Sequence, residues 1–323
     1  MTKKIMVPLD GSKLAEMALP HAVAMAQANL YGITLVRVVP QPAISNSTAW
    51  VFAPATDVWE GWADEVKAEA NYLEKVAVGL RAKGVDVNIK MLEDDPASAL
   101  VGYAERHPDV ALIVMSTHGR SGLSRWLFGS VAERVLHTSP VPLLLIRSSE
   151  DVELPAAMDV PVYKQIVVPL DGSVLGGQAL DQAMVLANTF EATLTLVSAV
   201  PETPTYTEVI SPPAIPTEWE DETDKITDYL EQTSTRIRAE GFAVKTQLEY
   251  GPPAEAILGV ADRSHADLVV MATHGRSGLS RFWLGSVAMK VVQASSRPVL
   301  LVRARANARR NHSEPTVGEK LPV

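Results

Sequence analysis

Ile5–Leu19 reads IMVPLDGSKLAEMAL, and Ile166–Leu180 reads IVVPLDGSVLGGQAL. In the first copy a short, continuous apolar run, Lys4–Leu9, predicts a strand buried on both faces. Asp10-Gly11-Ser12 then turns the chain, and Ser12 caps a helix running to about Asn29. Working outward, two more blocks return in the same order. MSTHGRSGLSRWLFGSV at Met115–Val131 reappears as MATHGRSGLSRFWLGSV at Met271–Val287, identical at 13 of 17 positions. SPVPLLLIR at Ser139–Arg147 reappears as SSRPVLLVR at Ser295–Arg303. A period of about 160 residues is a duplicated domain rather than a solenoid.

The organisation follows from the repeat: one domain over residues 1–147, a linker at 148–162, a second domain over 163–303, and a tail at 304–323. The linker, SSEDVELPAAMDVPV, is acidic, contains two prolines and has no helical period. The tail has few large apolar groups, a composition that predicts disorder. The basic cluster at the end of the sequence, Arg303, Arg305, Arg309 and Arg310, is expected to be solvated.

Bulk properties narrow the function. The 323 residues are 47% hydrophobic and 21% charged, with a net charge of −9. That balance argues against nucleic acid or an anionic membrane surface as partner. Without cysteine there is no disulfide, thiolate or Cys-zinc chemistry. The seven histidines show no HxxH or HExxH spacing, so no metal site is expected. MTKKIMVPLD holds too short an apolar run for a signal-peptide core, and no run reaches membrane-spanning length, so the expected location is the cytoplasm.

Strands and helices alternate through both halves. In the first, strands are predicted at Lys4–Leu9, Ile33–Val39, Val85–Leu92, Leu112–Ser116 and Pro142–Ile146. Helices are predicted at about Val58–Lys83, ended by Gly84, from Pro96 and Ala97 to Arg106, and at Ser130–His137. Strands of the second half are predicted near Gln165–Leu170, Thr193–Val200, Ala243–Leu248, Leu268–Ala272 and Val299–Val302. Strict alternation predicts an α/β fold, a parallel sheet with helices on both faces. Such sheets bind ligands beyond the carboxyl ends of the strands, where strand order reverses. Asp10 and the loop after Ser116 both lie at such ends.

The loop itself suits an anion. Gly119 and Gly275 permit close backbone approach and positive φ. Gly129-Ser130 and Gly285-Ser286 open helices whose free N–H groups attract phosphate. Arg120 and Arg125, with Arg276 and Arg281, supply cations able to pair with phosphate oxygens.

Together, VPLDGS near each start, the THGRSG…GSV loop and an apolar strand after a proline resemble the ATP-binding branch of the universal stress protein family, whose loop reads G-x2-G-x9-G-[ST]. The resemblance covers residues 1–147 and 163–303. It implies two tandem, open, parallel five-stranded Rossmann-like sheets of order 3-2-1-4-5, with ATP at the switch point. By position it places Pro8, Leu9 and Asp10 at the adenosine and Val38 against the base. Met115, Ser116, Gly119, Gly129, Ser130 and Val131 would wrap the ribose and phosphates. The second set is Pro169, Leu170, Asp171, Ala199, Met271, Ala272, Gly275, Gly285, Ser286 and Val287. The first glycine of the motif is Ser116 in one half and Ala272 in the other. If the position needed positive φ, either side chain would cost on the order of 1 kcal/mol, and the two sites need not be equal. The resemblance also implies antiparallel pairing of the final strands with another domain. The two halves can therefore satisfy each other, and dimerisation of the whole chain stays open.

Asp10 and Asp171 have a second reading as turn-capping residues. His118 and His274 lack a visible nucleophile or orienting carboxylate and are expected to be polar loop residues. The long segment Pro40–Asp57, with Trp50 and Phe52, and its counterpart Pro201–Thr217 are candidate lids. Trp59 and Trp62 are placed equally well over the nucleotide, at a subunit contact or against their own sheet. The functional expectation is an ATP-binding regulator or stabiliser in stress response, with Mg²⁺ able to arrive on the nucleotide. A slow ATP hydrolase and a scaffold with empty pockets are the alternatives. No GxxxxGK[ST], SGGxDS or HIGH-type motif supports an enzyme.

Overall fold

Burial shows first why the apolar runs become strands. In β1 (Lys4–Pro8) Ile5, Met6 and Val7 are all buried, which requires protein on both faces of the sheet. The computed structural model describes residues 2–42, 55–117, 128–147, 159–200, 217–273 and 284–303. The parts of the linker at 148–158, the tail at 304–323, and Trp50 and Phe52 lie outside the described residues.

After β1 come α1 (Lys13–Glu16), α2 (Ala18–Asn29), β2 (Gly32–Val38), α3 (Ala55–Arg81), β3 (Val87–Leu92), α4 (Pro96–Arg106), β4 (Val110–Ser116), α5 (Ser130–Thr138) and β5 (Leu143–Ile146). The second half repeats the pattern: β6 (Gln165–Pro169), α6 (Val174–Phe190), β7 (Thr193–Val200), α7 (Thr217–Ala239), β8 (Val244–Tyr250), α8 (Pro253–Arg263), β9 (Leu268–Ala272), α9 (Ser286–Ala294) and β10 (Val299–Val302).

Within each half the strand order is 3-2-1-4-5 and every pairing is parallel. The two sheets are joined. β5 and β10 pair antiparallel, with Leu144 opposite Leu300, so one sheet of ten strands runs through the chain. The final strands thus cover each other's edges. The outer edges are β3 and β8, where exposed Lys90 and Lys245 discourage further strand addition. One core, on the face of α2, α3, α6 and α7, is continuous across both halves; a second lies under α4, α5, α8 and α9.

The helix predicted from Ser12 to Asn29 is interrupted at Met17. Pro20 explains the break: it has no N–H for the Glu16 carbonyl and its ring crowds that oxygen. The corresponding residue in the second half is Asp181, and α6 runs unbroken. Helix α2 then ends on Leu30, left-handed at φ 54 and 85% exposed. A β-carbon in that conformation is strained and the side chain packs on nothing. Leu30→Gly is expected to raise stability by about 1 kcal/mol, measured as a higher urea midpoint.

Arg303 departs from the expected solvated tail. It is partly buried at the end of β10, and its guanidinium donates to the Ser139 carbonyl of the other half. Burial lowers its pKa. Its place at the seam between the two sheets, rather than its neighbours in sequence, sets its environment.

Among the described residues no helix is long and apolar enough to cross a membrane.

Candidate functional site

The crevice in each half begins with sheet register. In the first, Met6 lies opposite Ile113; in the second, Val167 lies opposite Val269. Four residues beyond these pairs stand Asp10 and Thr117, and Asp171 and Thr273. The chain reaches β2 from β1 in one direction and β4 in the other, so β1 and β4 diverge at a switch point. β6 and β9 do the same.

The first wall is the Asp-Gly-Ser turn. Asp10 Oδ1 accepts from the Ser12 amide at 3.0 Å and the Ser12 hydroxyl at 2.6 Å. Asp171 and Ser173 repeat both bonds at the same lengths. Gly11 and Gly172 make this possible, with φ of 79° and 77°. Ser12 and Ser173 also cap α1 and α6, accepting from Ala15 and Gly176. One carboxylate oxygen therefore serves the turn, the alternative weighed for these aspartates.

The second wall is the root of the glycine loop. The Thr117 amide donates to the Ile146 carbonyl at 2.9 Å, and the Gly129 amide donates back to the Thr117 carbonyl at 2.9 Å. Thr273, Val302 and Gly285 make the same closure at 3.1 and 2.8 Å. The intervening His118, Gly119, Arg120 and Arg125, and His274, Gly275, Arg276 and Arg281, lie outside the described residues. Helices α5 and α9 start at Gly129 and Gly285, and neither has a side-chain cap. In contrast, Asp95 caps α4 and binds Arg134; the Ser98 amide, first, and that arginine hold its carboxyl below the usual carboxylate range. A glycine start leaves the first amides of α5 and α9 without a local side-chain acceptor, a donor set suited to phosphate.

The other residues named from the sequence take up distinct places. Ser116 and Ala272 end β4 and β9 in strand conformation, and neither has positive φ. Their side chains therefore bring no left-handed strain, contrary to the conditional penalty. Met115 and Met271 are buried in the core under α4, α5, α8 and α9. Leu9 and Leu170 are buried under the opposite face. Pro8 and Pro169 end β1 and β6, Val38 ends β2, and Ala199 is next to last in β7. Ser130, Val131, Ser286 and Val287 form the first turns of α5 and α9. Trp62 donates its indole N–H to the Pro40 carbonyl at 3.2 Å, tying α3 to the exit of β2. Trp59 packs edge-on against it.

A group missed in the sequence distinguishes the two crevices. Buried Arg37 donates to the Leu9 carbonyl at 3.3 Å and to Glu69 at 2.7 Å, behind Asp10. Tyr72 donates to Glu16 at 2.8 Å; burial, then Glu16 and Asp10, push its pKa far above the ordinary phenol value. In the second half the hydroxyl of Ser198 holds the equivalent Leu170 carbonyl at 2.7 Å. Among the described residues no cluster of three His, Cys, Asp or Glu side chains could hold a metal ion.

A doubly wound α/β protein with a switch-point crevice in each of two tandem halves is the class these features define. The universal stress protein family profile matches residues 1–147 and 162–303. The chain belongs to that family. A universal stress protein of Methanocaldococcus jannaschii is 38% identical over 149 residues, 45% of this chain and 82% of the relative. One from Mycobacterium tuberculosis is 26% identical over 303 residues, covering 93% of this chain and 96% of its own, and so matches the tandem form end to end. The crystal structure of a universal stress protein from Archaeoglobus fulgidus agrees in fold, with a TM-score of 0.67 at 20% identity over 93% of this chain and 98% of that one.

Proposed function

We propose that each half binds one ATP and that the nucleotide regulates or stabilises the protein in stress response, without committed turnover. The observation that carries this reading is the repeated pairing of a serine-locked aspartate turn with an uncapped Gly-Ser helix start across a switch point. The aspartate edge suits the nucleoside, and the helix amides suit the phosphates. Mg²⁺ would arrive bound to the phosphates. Strand conformation at Ser116 and Ala272 also favours the reading, since the departure from the motif's first glycine adds no backbone cost.

The test is to denature the purified protein, chromatograph any released nucleotide, and titrate nucleotide-free protein with ATP by calorimetry. Two ATP per chain are expected. A double variant, Ser130→Asp with Ser286→Asp, sets a carboxylate at each helix start, which favours the helix but repels phosphate. It should weaken ATP at least about tenfold while leaving the melting temperature unchanged or raised. Absence of both released nucleotide and binding heat would sink the proposal. Phosphate release above background would favour the hydrolase instead.

A further inference from the structure

We propose that Arg147 and Arg303 are positioning residues acting in trans: each holds the far end of the phosphate-facing helix in the opposite half, so the two crevices are coupled. The inference rests, for its ligand, on the nucleotide reading above. Arg147 follows Ile146, whose carbonyl anchors Thr117 at the root of the first loop. Its guanidinium crosses the seam and donates to the Ala294 and Ser295 carbonyls at 3.3 and 3.2 Å. These are the carboxyl-terminal end of α9, the helix whose amino end opens the second crevice. Arg303 makes the reciprocal connection. It follows Val302, which anchors Thr273, and donates to Ser139 at the end of α5.

The dipole of a short helix explains why both ends matter. An anion at the amino end and a cation at the carboxyl end stabilise the same alignment of peptide groups. Each nine-residue helix thus receives its cation from the strand that anchors the other half's loop. The two halves also meet directly. Leu136, His137 and Ser139 at the end of α5 line a small cavity with Thr273, Leu284 and Arg303, next to the root of the second loop. Displacement of either loop root is therefore felt at the opposite helix.

Arg147→Met and Arg303→Met in the full chain test this, each in a background with one crevice blocked by Ser130→Asp or Ser286→Asp. Arg147→Met should weaken ATP about three- to tenfold at the second crevice and leave the first unchanged, while Arg303→Met does the reverse. Arg147→Lys, which keeps the charge, should recover part of the loss. Amide hydrogen exchange without ligand separates this coupling from the nucleotide assignment. The probes are the first intrahelical bonds, Met289 to Gly285 at 2.9 Å and Glu133 to Gly129 at 3.0 Å. Arg147→Met should speed exchange at Met289 and spare Glu133; Arg303→Met should do the opposite. That crossed pattern in a protein that binds no ATP would uphold the coupling and overturn the nucleotide reading. Equal acceleration in both halves, or none, would show that the arginines merely support the seam and would overturn the coupling, whatever the ATP result.

Discussion

Glu69→Ala is expected to lower stability by about 3–5 kcal/mol, because it strands a guanidinium in the core. Arg37 lies on β2 with its side chain 8% exposed, and Glu69, on α3, is 15% exposed. At 2.7 Å the carboxylate meets Nη2, while Nη1 reaches the Leu9 carbonyl and buried Nε has no hydrogen-bond partner. Loss of Glu69 removes the anion and leaves the cation where water reaches it poorly. The second half shows an uncharged solution at the same place. Counting back from the shared Tyr72 and Tyr229, Ile226 replaces Glu69, and Ser198 replaces Arg37. The Ser198 hydroxyl still satisfies the carbonyl before the aspartate. Arg37→Ser combined with Glu69→Ile should therefore recover most of the loss, since deleting a whole buried ion pair is far milder than deleting half of it. Urea denaturation of wild type, Glu69→Ala and the double variant decides the matter. A Glu69→Ala loss under about 1 kcal/mol, the size of an ordinary substitution, would show that solvent already screens the pair. A double variant as weak as the single one would show that the charge itself is required.

The contrast between these two solutions bears on how much the sequence revealed. Strand positions were legible because strands of a parallel sheet are buried on both faces and read as unbroken apolar runs, as in Ile5–Val7 and Val299–Val302. The Asp-Gly-Ser turn and the Gly-Ser helix starts were legible because their geometry is local. Strand order was not carried by periodicity; it came with the family resemblance. The Arg37–Glu69 pair spans 32 positions and two elements, and no local pattern announces it. Its one trace is a charge inside an apolar strand, GITLVRV. Arg303 was misread for a related reason. The residues that follow it, through Arg305, Asn307, Arg309 and Arg310, are basic and polar, but β10 ends at a seam formed by residues far away in the chain. The break in the first helix, by contrast, has a local signal in Pro20, although the apolar residues Leu19 and Val23 on either side continue a helical spacing.

Between pH 6.5 and 4 the protein is expected to lose about 3 kcal/mol of stability through one side chain, His21. His21, on α2, accepts or shares a hydrogen bond with the Tyr163 hydroxyl at 2.6 Å, just ahead of β6 in the other half. Tyr163 is 1% exposed and packs edge-on against Phe190. Burial lowers the His21 pKa from 6.5 to about 4, because the imidazolium would lose its hydration. The unfolded chain takes up this proton near pH 6.5 and the native chain only near 4. The contribution is therefore complete above 6.5, falls as the pH drops through that window, and is flat below it. The neutral ring can accept the phenol proton at its Nδ1; the charged ring can only donate, which forces that hydrogen bond to reverse. The stress falls on the core face shared by both halves. His21→Gln, which cannot titrate, should flatten this component. The urea midpoint of wild type should then fall relative to that of the variant as the pH is lowered from 6.5 to 4, so the two converge where the variant is the weaker protein at neutral pH and separate where it is not. Parallel midpoint curves across that window would mean that His21 is hydrated in solution and that the contact with Tyr163 is looser than the 2.6 Å separation implies.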